Sequence, residues 1–187
     1  MAEVLLFHHA RGLTDGVRAF ADELREAGHH VVVPDLYDGL RFATTEEGVA
    51  HTEQLGFDTI IARGVETAER LPHEIVYAGF SLGAMPAQHL AQQRPGARGA
   101  LLYHSAVPLN AFGERWPDGV PLEMHIMADD PYDDLEVMEE LATSAGGELF
   151  TYDGAGHLFT DSSVEEYDPH AACLVLERTL DFLGRLS

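Results

Sequence analysis

The chain of 187 residues has the length of one compact domain, and 45% of its residues are hydrophobic. It can therefore bury a core without the help of disulfides. Its 32 acidic residues face 11 basic ones, all of them arginine, and the formal net charge is −21. A surface this negative repels nucleic acids and anionic membranes, so neither is expected as a partner.

The sequence carries few signs of a special location. No apolar run reaches the roughly 18 residues that a membrane-spanning helix needs. The first residues, Met1–Glu3, lack the basic residues that begin a secretory signal. The single cysteine, Cys173, excludes an internal disulfide and favours a reducing compartment, and its helical position among apolar residues predicts a place in the core. We expect a cytoplasmic protein whose oligomeric state is open between a monomer and a homodimer.

The apolar period alternates along the chain between that of a strand and that of a helix. Short apolar runs predict six strands: Val4–His9, His30–Pro34, Glu74–Phe80, Arg98–Tyr103, Leu122–Met127 and Glu148–Tyr152. Helical spacing predicts five helices: Gly16–Ala27, Thr44–Leu71, Gly83–Arg94, Leu135–Ala145 and His170–Leu186. This alternation predicts an α/β fold with a three-layer, doubly wound, mainly parallel sheet. Because no linker divides the chain, we predict a single domain over residues 1–187.

A candidate nucleophile follows the third predicted strand. The sequence Gly-Phe-Ser-Leu-Gly occupies residues 79–83, directly between that strand and a helix. This is the G-x-S-x-G nucleophile elbow in the strand–turn–helix setting that it requires. Ser81 would stand on a strained turn with its hydroxyl projecting outward. The N–H of Leu82 would then lie at a helix N-terminus, where it can stabilise an oxyanion.

A serine hydroxyl needs a general base, and the base needs an acid that orients it. Asp129 and Asp130 follow the fifth predicted strand, and His157 follows the sixth. The carboxyl ends of parallel strands meet at one edge of the sheet, where ligands bind. The chain order serine, acid, histidine is also that of an α/β-hydrolase. We therefore predict a triad of Ser81, His157 and one of the two aspartates.

At these residues the sequence resembles the dienelactone hydrolase family, a compact branch of the α/β-hydrolases without a large lid domain. The resemblance covers nearly the whole chain, including Pro34–Tyr37, the elbow and the segment Gly156–Phe159. It implies that Asp130 is the triad acid. It also implies that the backbone N–H of Ala10 joins that of Leu82 in the oxyanion hole. No cofactor is implied.

The sequence departs from the family pattern at three positions. Family members that act on dienelactone carry cysteine at the position of Ser81 and glutamate at that of His9. They carry arginine, which binds the substrate carboxylate, at the position of Asp161. The resemblance therefore implies acyl transfer by a serine. An acid in place of the arginine would repel a carboxylate-bearing substrate.

Four further side chains are predicted to line the substrate pocket, namely His9, Tyr37, His104 and Trp116. Each also has a simpler interpretation as a buried or packing residue. Tyr37 belongs to the stretch Pro34–Tyr37 that resembles the family, and Trp116 lies in the long loop Pro108–Pro121. The two histidines end or follow predicted strands at the edge that carries the site.

A metal site is not expected, although histidines are numerous. His8 and His9 are adjacent, and His104 and His125 lie on other strands. None of them shows ligand spacing such as H-E-x-x-H. Neighbouring residues of a strand also point to opposite faces, so His8 and His9 could not easily reach one ion.

Together these features predict a serine hydrolase, similar to a carboxylesterase or lactonase, that acts on a small ester or lactone. Two alternatives stay open. One is a non-hydrolytic acyl transferase or a catalytically weak binding protein on the same fold, because a fold alone does not determine function. The other is a metal-assisted hydrolase that uses the histidines.

Overall fold

A computed structural model describes residues 1–186 of the chain. Six strands form one parallel sheet in the order β2-β1-β3-β4-β5-β6. The strands are β1 Glu3–Phe7, β2 His30–Val32, β3 Val76–Phe80, β4 Gly99–Tyr103, β5 Leu122–Met127 and β6 Glu148–Tyr152. The α-helices are α1 Asp15–Glu26, α2 Thr45–Leu55, α3 Phe57–Glu69, α4 Ala84–Gln93, α5 Leu135–Ala145 and α6 Pro169–Arg185. The predicted three-layer α/β fold is confirmed.

Each face of the sheet has its own apolar core. Along β1, Leu5 and Phe7 belong to one core, and Val4 and Leu6 belong to the other. Successive side chains of a strand point to opposite faces, so a strand covered on both sides is apolar throughout. Helices α3, α4 and α5 supply the first core, and α1 and α6 supply the second.

The helix predicted over Thr44–Leu71 is in fact two helices. The capping box at its start is confirmed, because Thr44 accepts from the N–H of Glu47 and Glu47 accepts in return from the N–H of Thr44. The break lies at Gly56, whose φ of 89° is in the left-handed region that glycine adopts without strain. Its N–H still bonds the carbonyl of Thr52, and α3 begins at the next residue, Phe57.

Cys173 is exposed, so the prediction of a core position for it is wrong. Helix α6 buries a single stripe of side chains. These are Ala171, Ala172, Val175, Thr179, Phe182 and Leu183. Residue 173 is two positions from Val175, a rotation of about 200°, which puts it on the far side of the helix. Within residues 1–186, no helix is both long and apolar enough to cross a membrane.

Candidate active site

Ser81 lies at the sharp turn between β3 and α4. Its φ is +49°, which few non-glycine residues adopt. A Cβ on Gly79 would lie 2.0 Å from the carbonyl oxygen of Gly83, and one on Gly83 would lie 2.5 Å from that of Phe7. Only glycine permits these approaches. They bring the turn close to the end of β1.

A continuous line of hydrogen bonds joins the serine, the histidine and one aspartate. Ser81 Oγ lies 2.7 Å from His157 Nε2. His157 Nδ1 lies 2.8 Å and 3.0 Å from the two carboxylate oxygens of Asp130. The side chains of His157 and Asp130 are buried, and Ser81 is 8% exposed. Asp129 is exposed and has no contact with His157 among these bonds. The carboxylate fixes Nδ1 as the protonated nitrogen, so Nε2 is free to accept the serine proton.

Of the two predicted oxyanion donors, Leu82 is in this turn and Ala10 is in the turn after β1, whose preceding carbonyls Gly83 approaches. Leu82 is the second residue of the short 3₁₀ helix Ser81–Gly83, where backbone N–H groups have no partner within the helix. Ala10 lies in the turn after β1 that the bond from the N–H of Gly12 to the carbonyl of His9 closes. Gly48 on α2 packs against this turn so tightly that its Cβ would lie 1.9 Å from the carbonyl oxygen of Ala10.

His9 faces the protein interior. Its Nε2 lies 2.7 Å from Oδ2 of Asp161, and its Nδ1 accepts from the N–H of Arg11 at 3.2 Å. Both side chains are buried. Burial lowers the pKa of His9, against the opposing effect of Asp161. His9 is almost completely buried and borders a small cavity that Phe80 and Thr160 also line. No sequence signal identified its bond to a residue 152 positions away.

Tyr37 and Trp116 also lie outside the site, which corrects their prediction as pocket residues. The Tyr37 hydroxyl is buried 2.5 Å from Oγ1 of Thr52, and burial raises its pKa. Trp116 Nε1 donates to the carbonyl of Val120 at 2.6 Å. Val120 lies shortly before β5, so Trp116 is at the amino-terminal edge of the sheet, opposite Ser81.

His104 is fully buried beside the site, with its ring centroid 6.0 Å from that of His157. Its Nε2 bonds Oγ1 of Thr160 at 2.8 Å, while its Nδ1 has no hydrogen-bond partner within residues 1–186. Burial lowers its pKa well below the ordinary value. His104 therefore packs behind His157 and does not line an open pocket.

A carboxylic acid that the sequence did not single out also lies near His157. Burial raises the pKa of Asp133 to about 6, although a hydrogen bond with Ser105 opposes this. Asp133 lies three residues after the triad candidate Asp130, in the loop before α5. Its position in an acidic run gave no reason to distinguish it from its neighbours.

The histidines are held apart by their partners. Leu36 N–H donates to Nε2 of His8 at 2.9 Å, and Nδ1 of His8 donates to the carbonyl of His9. His125 lies further along the sheet, where Nε2 is 3.1 Å from Glu123. Among residues 1–186, no group of three or more histidine, cysteine or acidic side chains could hold a metal ion.

Tyr132 covers one side of the histidine. Its ring centroid lies 4.9 Å from that of His157, and its hydroxyl donates to Glu46 on α2. This bond lowers the pKa of Glu46 and raises that of Tyr132 to about 12. The contact joins the loop that carries Asp130 to the first turn of α2.

Next to Tyr132 is a cavity of about 430 Å³. Arg11, directly after Ala10, is the one basic residue among those that line it within residues 1–186. The acidic residues of its wall are Glu46, Glu165 and Glu166. Three carboxylates against one guanidinium make the cavity negative, which favours uncharged or cationic ligands over anionic ones.

Comparisons with known proteins agree with this architecture. The model of the dienelactone hydrolase family matches residues 1–187. A carboxymethylenebutenolidase of Rhodococcus opacus is 28% identical, over 97% of this chain and 80% of the relative. A dienelactone hydrolase homologue of Klebsiella pneumoniae superimposes with a TM-score of 0.80 at 16% identity, over 98% of this chain and 87% of the other. The dienelactone hydrolase-like promiscuous phosphotriesterase P91, from metagenomic libraries, gives 0.77 at 16% identity, over 100% and 87%. The chain belongs to the dienelactone hydrolase family and has the α/β-hydrolase fold.

Proposed function

We propose that this protein is a serine hydrolase that cleaves small, uncharged esters or lactones through Ser81, His157 and Asp130. Membership of the dienelactone hydrolase family makes the chain a hydrolase of ester or lactone bonds. The proposal that a serine triad performs the reaction rests on the line of hydrogen bonds from Ser81 Oγ through the His157 ring to Asp130.

The reaction follows from these contacts. His157 Nε2 takes the proton of Ser81 as Oγ bonds the carbonyl carbon, and the carbonyl oxygen becomes an oxyanion that the N–H groups of Leu82 and Ala10 receive. The tetrahedral intermediate then expels the alcohol, which takes the proton from His157. A water molecule, deprotonated by His157, hydrolyses the acyl-enzyme in the same way. Asp130 holds the ring in the required tautomer and offsets its positive charge.

The substrate class is inferred from charge. Tyr132, which packs against His157, also lines a neighbouring cavity with an acidic wall. Asp161 gives all its acceptors to protein groups, so the surroundings of the triad offer little to a carboxylate. Among residues 1–186, Arg11 is the one basic side chain that lines this cavity. A small ester or lactone needs no cofactor in this scheme. The one cysteine of the chain keeps the cytoplasm as our expected location.

The test compares hydrolysis of p-nitrophenyl acetate by the wild-type protein and Ser81→Ala. We expect kcat/KM to fall by about 10⁴-fold or more, because the residual rate comes only from binding and the oxyanion donors. A fluorophosphonate probe should label Ser81 of the wild type. Equal rates for the two proteins would contradict the mechanism.

A matched pair of substrates tests the charge inference. The p-nitrophenyl monoester of succinic acid and the corresponding methyl-capped diester differ in one carboxylate. We expect the neutral diester to have the higher kcat/KM by about tenfold, which is an electrostatic difference near 1.4 kcal/mol. A higher kcat/KM for the monoester, which carries the carboxylate, would contradict the proposal that the substrate is uncharged. Labelling of Ser81 without turnover of either ester would favour the alternative of a non-hydrolytic acyl transferase.

A further inference from the structure

Asp161 lies in the same loop as His157, four residues further along the chain, and it is almost completely buried. Its Oδ2 accepts from His9 Nε2 at 2.7 Å and from Thr14 Oγ1 at 2.5 Å. Its Oδ1 accepts from the N–H and the hydroxyl of Ser163 at 2.8 Å and 2.6 Å. A buried carboxylate is costly unless its acceptors are filled, and here four donors fill them.

These donors come from separate parts of the chain. His9 belongs to the turn after β1, and Thr14 is the N-cap of α1. Gly16, in the first turn of α1, comes so close that a Cβ there would lie 1.7 Å from Oδ1 of Asp161. The carboxylate therefore joins the His157 loop to the turn after β1 and to a helix N-terminus, whose dipole favours the negative charge.

The other side of the His9 ring holds the turn itself. Nδ1 accepts from the N–H of Arg11, and the carbonyl of His9 accepts from the N–H of Gly12. Ala10 lies between these contacts. Its backbone orientation is thus fixed by a ring whose opposite nitrogen is held by Asp161.

We infer that His9 and Asp161 are positioning residues for the reaction, which hold the oxyanion donor Ala10 in register with the base His157. This inference rests on the proposed function. Neither residue touches the reacting atoms. Their effect is exerted through the turn and the loop that they connect, and it requires the Nε2–H tautomer of a neutral His9.

The polarity of the bonds makes the inference testable. An asparagine at 161 has one carbonyl oxygen and adds two donors, so it cannot satisfy four donors. If its NH₂ faced His9, Nε2 would have to accept, and the proton on Nδ1 would then oppose the N–H of Arg11. Either arrangement disturbs the turn that carries Ala10.

The experiment compares Asp161→Asn, His9→Asn and the double variant on p-nitrophenyl acetate. We expect each single variant to lower kcat by about 10- to 100-fold, because small displacements of transition-state donors have effects of this size. KM should stay within about threefold, since substrate binding in the ground state does not use the oxyanion contact. The double variant should be no more than about threefold slower than the slower single variant, because both act through one connection.

Thr179→Val is the matched control. The variant removes the buried hydroxyl of Thr179 on α6, which bonds the hydroxyl of Tyr103 on β4. It keeps the Tyr103 ring and leaves the bonds of His9 and Asp161 intact, so it should lower the melting temperature without a change in kcat. If His9→Asn and Asp161→Asn behave like this control, or if their losses in kcat multiply in the double variant, the inference is wrong. Should Asp161→Asn fail to fold, His9→Asn alone decides by its kcat. Labelling of wild-type Ser81 by the fluorophosphonate probe tests the proposed function separately, and its absence would overturn both.

Discussion

Two buried histidine–aspartate pairs lie at this edge of the sheet, and they differ in what faces the second ring nitrogen. In His157, Nδ1 donates to Asp130 and Nε2 faces the hydroxyl of Ser81. In His9, Nε2 donates to Asp161 and Nδ1 accepts from the backbone N–H of Arg11. Both pairs join an imidazole to a carboxylate. Only the free nitrogen of His157 faces a hydroxyl whose proton it could accept.

Under the proposed mechanism, this difference separates a reactive pair from a structural one. A hydroxyl proton can move to His157, and the resulting imidazolium keeps its bond to Asp130. A proton that arrives at Nδ1 of His9 would displace the N–H of Arg11 and break the turn. A histidine–carboxylate bond is therefore not by itself evidence of catalysis. The partner of the other ring nitrogen determines whether the histidine can accept a proton.

The strongest test of the difference between the two pairs is to replace each aspartate with asparagine. Asp130→Asn should lower kcat by about 10⁴-fold, because the amide favours the wrong tautomer of His157. Asp161→Asn should have the smaller effect given above. Asp129→Asn is the matched control, since Asp129 is exposed next to Asp130, and its kcat should be unchanged. A loss in Asp129→Asn as large as that in Asp130→Asn would mean that the acid is assigned wrongly.

A buried imidazole that accepts a backbone N–H must stay neutral, and the pH dependence of stability tests this requirement. His8, whose Nε2 accepts from the N–H of Leu36, is the ring to examine. Burial lowers the pKa of His8 to about 4. Below the unfolded value of about 6.5, the unfolded chain takes up a proton that the folded chain refuses, so stability falls as the pH falls. His8 alone should account for about 2 kcal/mol of unfolding free energy lost between pH 7 and pH 5.

Urea unfolding at the two pH values measures this loss. In His8→Gln, which does not titrate, the difference between pH 7 and pH 5 should be smaller by the same amount. Using the difference between the two proteins removes the change in overall charge repulsion, which both share. Parallel pH dependences would show that His8 is not the group that titrates.

The smallest effect on activity is expected from the loss of an exposed hydrogen bond, and it serves as a reference for the variants at buried bonds. Tyr132→Phe removes the hydroxyl that donates to Glu46 and keeps the ring against His157. Solvent screens this exposed contact, so kcat/KM should change by less than about threefold. A much larger loss would assign the Tyr132 hydroxyl a direct part in substrate binding.

The sequence predicted the sheet, the helices and the elements that carry the triad candidates, because apolar periods and the elbow pattern are local. It did not predict the break at Gly56, since a single glycine is tolerated within a helical pattern and its positive φ is a property of the structure. The core position predicted for Cys173 is wrong, although the spacing of the buried residues of α6 is itself a local pattern that excludes residue 173.

The surroundings of the site were harder to predict. Tyr37 and Trp116 follow strands in the sequence, but the direction in which each loop turns is set by partners such as Thr52 and Val120. The bond between His9 and Asp161 joins residues 152 positions apart, and no local pattern encodes it. Long-range polar pairs of this kind depend on the whole fold.

The exposed side of α6 offers an experimental consequence. Cys173 is the only thiol of the chain, and it borders a groove between α1 and α6 that Thr160 and Ser162 also line. These two residues belong to the loop that begins at His157. A maleimide dye attached to Cys173 would label each molecule once. Its emission would report whether that loop moves when an ester is added, without any change to Ser81, His157 or Asp130.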